Sequence, residues 1–369
     1  MHLGLKHILR PCYHIYSRLI GIATKFFHPN FPLTPTRLSI YITKKCNLTC
    51  DFCYTKDALN TPEPNALSMD EWKKIVDTIP RSTIIDFCGG EIFFSKHMMP
   101  LLEYLSRKKR IMTIITNGTT MTKGHIDFFI KNKITYYLTP IDGMEKLHDK
   151  IRGKKGTFKR ASEMVKYLEE KQKETGSKFP LTCVKTVITE DNYKDIPELL
   201  RFSEHELGVD NIQFSFIHNN KHRMVYDTFD DYNMIPTFKG NTYQYPPNVI
   251  EDIKETVRYI LKYKKTSKMF IGIDPRLPKE EMLLDYLDNQ NKFGVKKCNR
   301  HWGEYFLHYD GQLASCITYN LGNIRDVNYN VKKVLGQKGV KRFLKYMDSQ
   351  MPYIEECRSC CKAEHKVKT

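Results

Sequence analysis

The sequence has no long hydrophobic run, because its longest apolar stretches extend over only about five positions. A membrane-spanning helix needs roughly 20 such residues, which argues against a polytopic membrane protein. Internal repeats and low-complexity tracts are also absent, and the N-terminus lacks the small-residue cleavage site of a secretory signal. We therefore expect a globular cytoplasmic protein whose 369 residues form more than one domain.

Acidic residues are missing from the first 50 positions, although seven Lys or Arg residues precede Asp51. Between Cys12 and Phe27 the apolar residues recur at helical spacing and predict a basic amphipathic helix. Such a helix either packs on the rest of the protein or makes peripheral contact with an anionic membrane surface. Three prolines follow it and indicate a linker, so residues 1–35 are predicted to form a separate segment.

The whole chain is basic, with a formal net charge of +17. This charge is compatible with a solvated surface, an anionic substrate, a membrane surface or a nucleic acid. A nucleic-acid partner is the least favoured, because the basic residues are not interleaved with aromatic residues as in single-strand binders.

Residues 36–217 alternate between strand and helix patterns. The predicted strands are Arg37–Thr43, Thr83–Phe87, Ile111–Thr116, Thr135–Thr139, Leu181–Ile188 and Asn211–Ile217. The predicted helices are Met69–Ile79, His97–Arg107, Lys123–Asn132, Phe158–Glu174 and Asp195–Leu207. Alternation of this kind indicates a parallel sheet with right-handed crossovers. Six units are too few for the common eight-unit barrel, so we predict an α/β fold with an open, partial (β/α)6 barrel.

The remaining chain divides into two further regions. Residues 218–297 have weak periodicity apart from a helix at Val249–Tyr263, and we interpret them as a variable connecting region that contacts the substrate. Residues 298–369 combine short strands and turns with cysteines, which predicts a small C-terminal α+β domain.

Most of the eleven cysteines lie in two groups, which favours metal ligation over disulfides in a reducing compartment. The first group is Cys46, Cys50 and Cys53, with C-x3-C-x2-C spacing, directly after the first predicted strand. Loops at this end of a parallel barrel carry active sites. Three thiolates can bind three irons of a cubane cluster and leave the fourth iron open. A structural zinc fits less well, because it normally takes four ligands.

Together with Phe52, these cysteines resemble the C-x3-C-x-aromatic-C signature of the radical S-adenosylmethionine (SAM) superfamily. Further motifs follow in the family's order after the second, third and fourth strands: Gly89-Gly90-Glu91, Thr116-Asn117-Gly118, and the run Asp142-Gly143, His148-Asp149, Arg152-Gly153. The resemblance covers roughly residues 37–217. It departs at Ile92, where members usually have Pro, and at Pro140, where many have Ser and where Thr139 is the neighbouring hydroxyl.

The resemblance implies an enzyme that binds SAM and one [4Fe–4S] cluster on Cys46, Cys50 and Cys53. It places Phe52 near the adenine, and Glu91 with the backbone of Gly89 and Gly90 at the SAM amino group. Asn117 belongs to the same cofactor site by resemblance, and Arg152 would meet the carboxylate, which suits a guanidinium fork. It also implies an electron donor such as flavodoxin or ferredoxin. No further catalytic residue is identified.

The second group is Cys298, Cys316, Cys357 and Cys360. Taken alone, four thiolates from two arms of the chain favour a structural zinc. Their spacing resembles the C-terminal extension called SPASM, or its shortened form called twitch. The sequence lacks the further cysteines of the full form, so the resemblance implies a twitch-like domain with one auxiliary [4Fe–4S] cluster. Cys361 is an alternative ligand.

The chemistry implied by the resemblance is reductive cleavage of SAM to a 5′-deoxyadenosyl radical, which removes a hydrogen atom from the substrate. Most peptide-modifying relatives carry the full two-cluster extension, so we expect oxidation or a related modification of a small molecule or glycan. A peptide-modifying or protein-modifying enzyme of the maturase type is the alternative. A binding protein with purely structural clusters is disfavoured, because the cysteine triplet, Glu91 and Arg152 are all intact.

Overall fold

The computed structural model describes residues 34–53, 55–217, 244–277, 279–288, 295–297, 300–315, 319–350 and 364–365. The predicted N-terminal helix lies outside these residues. So do the predicted auxiliary ligands Cys298, Cys316, Cys357 and Cys360, and the alternative ligand Cys361. No helix within the described ranges is both long and apolar enough to cross a membrane.

Twelve strands are described: β1 (Arg37–Tyr41), β2 (Ile84–Cys88), β3 (Ile111–Ile115), β4 (Tyr136–Pro140), β5 (Leu181–Ile188), β6 (Asn211–Phe216), β7 (Phe270–Asp274), β8 (Val295–Lys297), β9 (Glu304–His308), β10 (Gln312–Ser315), β11 (Tyr319–Asn323) and β12 (Glu364–His365). Ten of them form one open sheet in the order β11-β10-β9-β1-β2-β3-β4-β5-β6-β7. The strands from β9 to β7 in this order are all parallel. The α/β class and the parallel sheet predicted from the sequence are therefore confirmed.

The sheet is larger than the six predicted strands. Strand β7 adds to β6, and β9 pairs in parallel with β1, with Arg37 opposite Glu304 and Tyr41 opposite His308. A tight turn follows β9 at Gly311, whose φ of +89° favours glycine, and β10 returns antiparallel. The segment after β8 thus extends the core sheet on the side of the first strand.

The helices are α1 (Met69–Thr78), α2 (Met98–Arg107), α3 (Lys123–Lys131), α4 (Glu145–Arg152), α5 (Thr157–Thr175), α6 (Ile196–Arg201), α7 (Ile250–Lys264), α8 (Glu280–Asp288), α9 (Val331–Gly336) and α10 (Lys338–Gln350). Helix α1 begins with the predicted capping box, in which Ser68 and Glu71 each accept the other's backbone N–H. The helix predicted at Asp195–Leu207 is found at nearly these positions, but only Ile196–Arg201 is α-helical; a 3-10 turn precedes it and a π-helix, Phe202–Glu206, ends it.

The two faces of the sheet differ in polarity because side chains alternate along each strand. One face carries the apolar core, including Leu38, Ile114, Val184 and Phe214. The opposite face, which we call the inner wall, is mixed. It carries the apolar Ile115, Leu138 and Val187 and the polar residues Arg37, Ser39, Asp86, Thr113, Lys185, Gln213, Ser215 and Asp274.

Candidate active site

The loop after β1, which we call the cysteine loop (residues 44–53), holds its three cysteines by separate contacts. The side-chain amide of Asn60 pairs with the backbone of Cys46. Its Oδ1 accepts the Cys46 N–H at 2.9 Å, and its Nδ2 donates to the Cys46 carbonyl at 3.0 Å. The Cys50 Sγ accepts from Arg152 Nη1 at 3.4 Å. The Cys53 Sγ lies 3.2 Å from the Thr55 hydroxyl. Asn60 therefore fixes the backbone of Cys46, whereas Arg152 and Thr55 contact the thiols of Cys50 and Cys53.

Burial opposes ionisation of two of the three thiols. The pKa of Cys46 is raised to about 11, chiefly by burial and to a smaller extent by the charges of Cys50, Glu91 and Cys53. Burial also raises the pKa of Cys50, against the opposing effect of the Arg152 charge. Thiols of this kind ionise most readily when a metal replaces the proton.

The thiols do not form a site for a single ion. Among the described residues, no three His, Cys, Asp or Glu side chains converge as a metal-ion site. A cubane cluster needs its three thiolates around a larger volume than a single ion does, because each cysteine binds a different iron. The donor set therefore fits the cluster that the sequence predicts better than it fits a mononuclear zinc.

Gly89 and Gly90 lie directly against the cysteine loop. A Cβ at Gly89, whose φ is +135°, would lie 2.5 Å from the Thr43 carbonyl oxygen, and one at Gly90 would lie 2.3 Å from that of Lys45. The close approach is fixed by hydrogen bonds from Gly90 N to Thr43 O at 2.8 Å and from Glu91 N to Lys45 O at 2.7 Å. Packing against the cysteine loop is therefore enough to require both glycines.

Glu91 is fully buried, and its carboxylate is occupied by the protein. It accepts from the Thr116 hydroxyl at 2.6 Å, from the Asn117 N–H at 2.8 Å and from the Thr120 hydroxyl at 3.2 Å. Burial raises the pKa of Glu91, while these donors lower it. The side chain thus ties the loop after β2 to the loop after β3.

The side chain of Asn117 continues this connection to the cysteine loop. Its Nδ2 donates to Asn47 Oδ1 at 3.1 Å, and Asn47 Nδ2 donates to the Thr119 hydroxyl at 2.8 Å. Thr119 closes the ring by donating to Asn117 Oδ1 at 2.6 Å. Asn47 lies next to Cys46, so the loop after β3 helps to position the first cysteine.

Arg152, the last residue of α4, reaches the cysteine loop from the other side. Its guanidinium forms an ion pair with the buried carboxylate of Asp142 and lies 5.4 Å from the centre of the Phe52 ring. The loop backbone also contacts α4, because Thr49 N donates to Arg152 O at 3.3 Å. The predicted cofactor residues Phe52 and Arg152 therefore touch each other and the cysteine loop.

The His148 and Asp149 side chains have structural contacts in the same region. His148 Nδ1 accepts the Asp142 N–H at 3.1 Å, and burial lowers its pKa to about 4. Asp149 caps the start of α5 by accepting from Gly156 N at 2.5 Å and Phe158 N at 2.9 Å. Both residues shape the helix pair that carries Arg152.

The residues of this region fit the cofactors that the sequence implies. Arg152 Nε is buried without a hydrogen-bond partner, so the guanidinium retains a donor for an anionic group. Thr139 does not supply the hydroxyl that is missing at Pro140, where many family members have Ser. Its side chain is 1% exposed and lies on the core face beside Gly118.

Several residues that position the site were not identified from the sequence. Asn60, Thr55 and Asn47 carry no motif of their own. The only available signal for Asn60 was a residue type that tolerates positive φ, here +59°, shortly after the cysteines. Tyr309 and His308 of the C-terminal segment lie behind the loop, in a small cavity that Gly89 and Gly90 also line.

Comparison with known proteins agrees with this geometry. Residues 40–203 match the family described as the radical SAM superfamily. An AdoMet-dependent heme synthase of Oleidesulfovibrio alaskensis is 25% identical over 308 residues, which are 78% of this chain and 71% of that protein. The Bacillus subtilis antilisterial bacteriocin subtilosin biosynthesis protein AlbA is 29% identical over 145 residues, 38% of this chain and 32% of AlbA.

A similar fold is found in Streptococcus suis SuiB, whose crystal structure contains S-adenosylmethionine. It superposes with a TM-score of 0.63 at 18% sequence identity, over 91% of this chain and 73% of SuiB. At this identity the likeness concerns the fold alone. The family match extends from β1 to the start of the π turn after α6 and includes the cysteine loop, Glu91, Asn117 and Arg152. The chain therefore contains a radical SAM domain, which spans residues 40–203.

Proposed function

We propose that Cys46, Cys50 and Cys53 hold a [4Fe–4S] cluster with one open iron, and that SAM binds there between Phe52, Gly89, Gly90, Asn117 and Arg152. The observation that carries this proposal is the geometry of the cysteine loop, in which the Cys50 thiol lies 3.4 Å from a buried guanidinium that keeps an unpaired donor. The bound cluster and SAM would supply one-electron cleavage to a 5′-deoxyadenosyl radical, which abstracts a hydrogen atom from the substrate.

The roles of the chain's own residues follow from their contacts. The cysteines bind the irons. Asn60 holds Cys46 in place, and Thr55 holds Cys53 in place. The unpaired Nε of Arg152 can donate a hydrogen bond to the SAM carboxylate, since the two Nη atoms already contact Cys50 and Asp142. Burial of Glu91 fixes the loops after β2 and β3, so that the backbone beside the cluster is rigid before SAM arrives.

The inner wall favours a polar substrate. It includes an ion pair between Arg37 Nη1 and Asp86 Oδ2 at 2.5 Å, together with the polar groups of Thr113, Gln213 and Ser215. Hydroxyl, amine and amide groups of a substrate can hydrogen-bond to the polar groups of this wall. A flat apolar ring would leave those groups without hydrogen-bond partners. We therefore favour a small polar molecule or a glycan as the substrate to be oxidised. A heme-like ring, such as the name of the heme synthase suggests, fits the wall less well.

A peptide substrate is the second candidate, because AlbA is named for the biosynthesis of the bacteriocin subtilosin. Backbone amides would satisfy the same polar wall. In either case we propose an auxiliary [4Fe–4S] cluster on Cys298, Cys316, Cys357 and Cys360, whose chemistry would be to accept one electron from the substrate. A low-potential protein such as flavodoxin or ferredoxin would supply the electron that reduces the first cluster.

The test is product analysis under anaerobic conditions. The reconstituted chain is reduced with dithionite and incubated with SAM and two separate pools, one of polar small molecules and oligosaccharides and one of peptides. We expect 5′-deoxyadenosine, and a small-molecule product that has lost two hydrogens. A modified peptide alone would support the second candidate. Absence of 5′-deoxyadenosine from a fully reduced, iron-loaded protein would contradict the function.

A matched variant separates SAM cleavage from substrate recognition. Asp86→Asn keeps the shape of an inner-wall residue that does not contact the cysteine loop, so we expect 5′-deoxyadenosine formation without substrate to persist. Turnover of the substrate should fall, because a carboxylate partner of Arg37 is lost. Equal losses of both activities would argue against a substrate role for the inner wall.

A further inference from the structure

Arg152 contacts a cluster ligand directly, in addition to the SAM-binding role proposed above. Its Nη1 lies 3.4 Å from the Cys50 Sγ, while Nη2 is held by the carboxylate of Asp142. Arg152 is 8% exposed and Asp142 is fully buried, so water does not screen this chain of contacts. The Nε, which has no partner, is a different donor from the one that reaches the sulfur.

Asp142 and Arg152 are both held in place by contacts with the backbone or with neighbouring loops. Asp142 Oδ1 accepts the Val187 N–H at 2.9 Å, and the Asp142 carbonyl accepts from Asn192 Nδ2 at 2.7 Å. At the other end, Gly153 ends α4 with a φ of +70°, and a Cβ there would lie 2.1 Å from the Thr49 hydroxyl. The glycine lets the end of α4, and with it Arg152, approach the cysteine loop closely.

We propose that Arg152, positioned by Asp142, sets the reduction potential of the cluster bound by Cys46, Cys50 and Cys53. This inference rests on the function proposed above. Hydrogen bonds to the sulfurs and nearby charge are the features by which proteins tune iron–sulfur potentials. An N–H donor and a positive charge both favour the reduced state, which carries one more negative charge. The carboxylate of Asp142 offsets that charge while it holds the donor in place.

The reaction affected is the uptake of one electron from a low-potential one-electron reductant, and no covalent bond forms or breaks in it. The two partners therefore have opposite expected effects. Removal of Arg152 takes away the donor and the cation, so reduction becomes harder. Neutralisation of Asp142 leaves the cation beside Cys50 uncompensated, so reduction becomes easier. A purely structural pair would not give shifts of opposite sign.

The experiment is a redox titration of the reconstituted full-length chain, without SAM, followed by electron paramagnetic resonance. The signal of the site is identified as the one that disappears when Cys46, Cys50 and Cys53 are all replaced by Ala. For Arg152→Met we expect the reduction equilibrium to shift at least tenfold toward the oxidised form, a change of about 59 mV for one electron. For Asp142→Asn we expect a shift in the opposite direction.

Two further variants complete the test. Arg152→Lys keeps the charge but loses the fork, so its shift should have the same sign as that of Arg152→Met and be smaller. Arg160→Met is the matched control, because Arg160 donates to the Met121 carbonyl and has no described contact with the cysteine loop. Its potential should equal that of the wild type.

Three outcomes would overturn the inference: unchanged potentials at normal iron content, shifts of the same sign for Arg152→Met and Asp142→Asn, or failure of both to bind site iron. Failure of the proposed function is a separate result. It would be recorded as retention of all iron by the triple cysteine variant, or as absence of 5′-deoxyadenosine from the wild type.

Discussion

The cysteine loop is braced from two neighbouring regions, and each region uses a buried carboxylate in a different way. On the side of β2 and β3, Glu91 accepts hydrogen bonds from neutral hydroxyl and amide groups. On the side of β4 and α4, Asp142 holds a guanidinium that itself touches a cysteine. The first region reaches the loop through backbone and polar contacts, whereas the second places a guanidinium in direct contact with a cysteine thiol.

This difference indicates how the two regions contribute. A buried carboxylate saturated by neutral donors stabilises the fold, because its loss would leave those donors unpaired. A buried ion pair contributes less to stability, because desolvation of both charges offsets their attraction. We therefore expect changes on the Glu91 side to appear mainly in folding, and changes on the Asp142 side to appear mainly in the properties of the site.

The largest effect, on iron content and on 5′-deoxyadenosine formation, should come from removing the three cysteines that both regions hold in place. With Cys46, Cys50 and Cys53 all replaced by Ala, iron content should fall from about eight to about four atoms per chain, since four cysteines remain for the second cluster. Formation of 5′-deoxyadenosine should stop completely. Iron analysis and product chromatography measure the two quantities. Continued 5′-deoxyadenosine formation would refute the assignment of these ligands.

The Glu91 side is broken most directly by Glu91→Gln. The amide keeps the volume but turns one acceptor oxygen into a donor, which leaves a buried donor facing Thr116 or Asn117. We expect a loss of about 1–3 kcal/mol in the free energy of unfolding, measured by urea denaturation. Asp70→Asn on the exposed surface of α1 serves as the control and should be close to neutral. Equal stability of both variants would contradict the bracing role of Glu91.

The Asp142 side should be sensitive to acid through His148. Its pKa in the folded protein is about 4, below the ordinary value of 6.5, because burial disfavours the charged ring. The stability from keeping His148 neutral is therefore complete above pH 6.5 and is lost as the pH falls toward 4. Between pH 7.5 and pH 5, wild-type protein should lose about 2 kcal/mol more than His148→Gln in the same cluster state. A constant difference between the two proteins across this range would exclude the effect.

The smallest effect is expected at the connection between the two loops. Asn47→Ala removes two half-buried hydrogen bonds, with Asn117 and Thr119, next to Cys46. We expect a loss of about 1 kcal/mol in unfolding free energy and a faster loss of site iron to a chelator. Asn132→Ala, at the end of α3, removes one hydrogen bond to the Phe128 carbonyl away from the site and is the matched control. The same rate of iron loss in both variants would show that Asn47 does not position the cysteine loop.

Much of the fold was predictable because its elements have strong periodicity. Strand β5 lies at the predicted positions, and α1 to α3 end within one residue of the prediction. Helix α4 was missed because its eight residues are mostly charged and give little apolar pattern. Strand β7 was missed because a glycine interrupts a five-residue apolar run. The pairing of β9 with β1 joins residues 267 positions apart, which periodicity alone does not reveal.

The motif residues of the candidate site could be named from the sequence, whereas the contacts that hold them in place could not. Spacing identified the cysteine triplet, and resemblance identified Glu91 and Arg152. The contact between Arg152 and Cys50 depends on where α4 ends, and the bond between Asn60 and Cys46 depends on a turn with positive φ. Contacts of this kind arise from tertiary packing and leave no spacing rule in the sequence.

We propose that Cys46, Cys50 and Cys53 hold a cluster whose open iron binds SAM. This proposal is tested by the electron paramagnetic resonance spectrum of the reduced, reconstituted chain with and without SAM. We expect SAM to change the signal assigned to these cysteines, and the triple Ala variant to lack both the signal and the change. A reduced spectrum that is identical with and without SAM would contradict it.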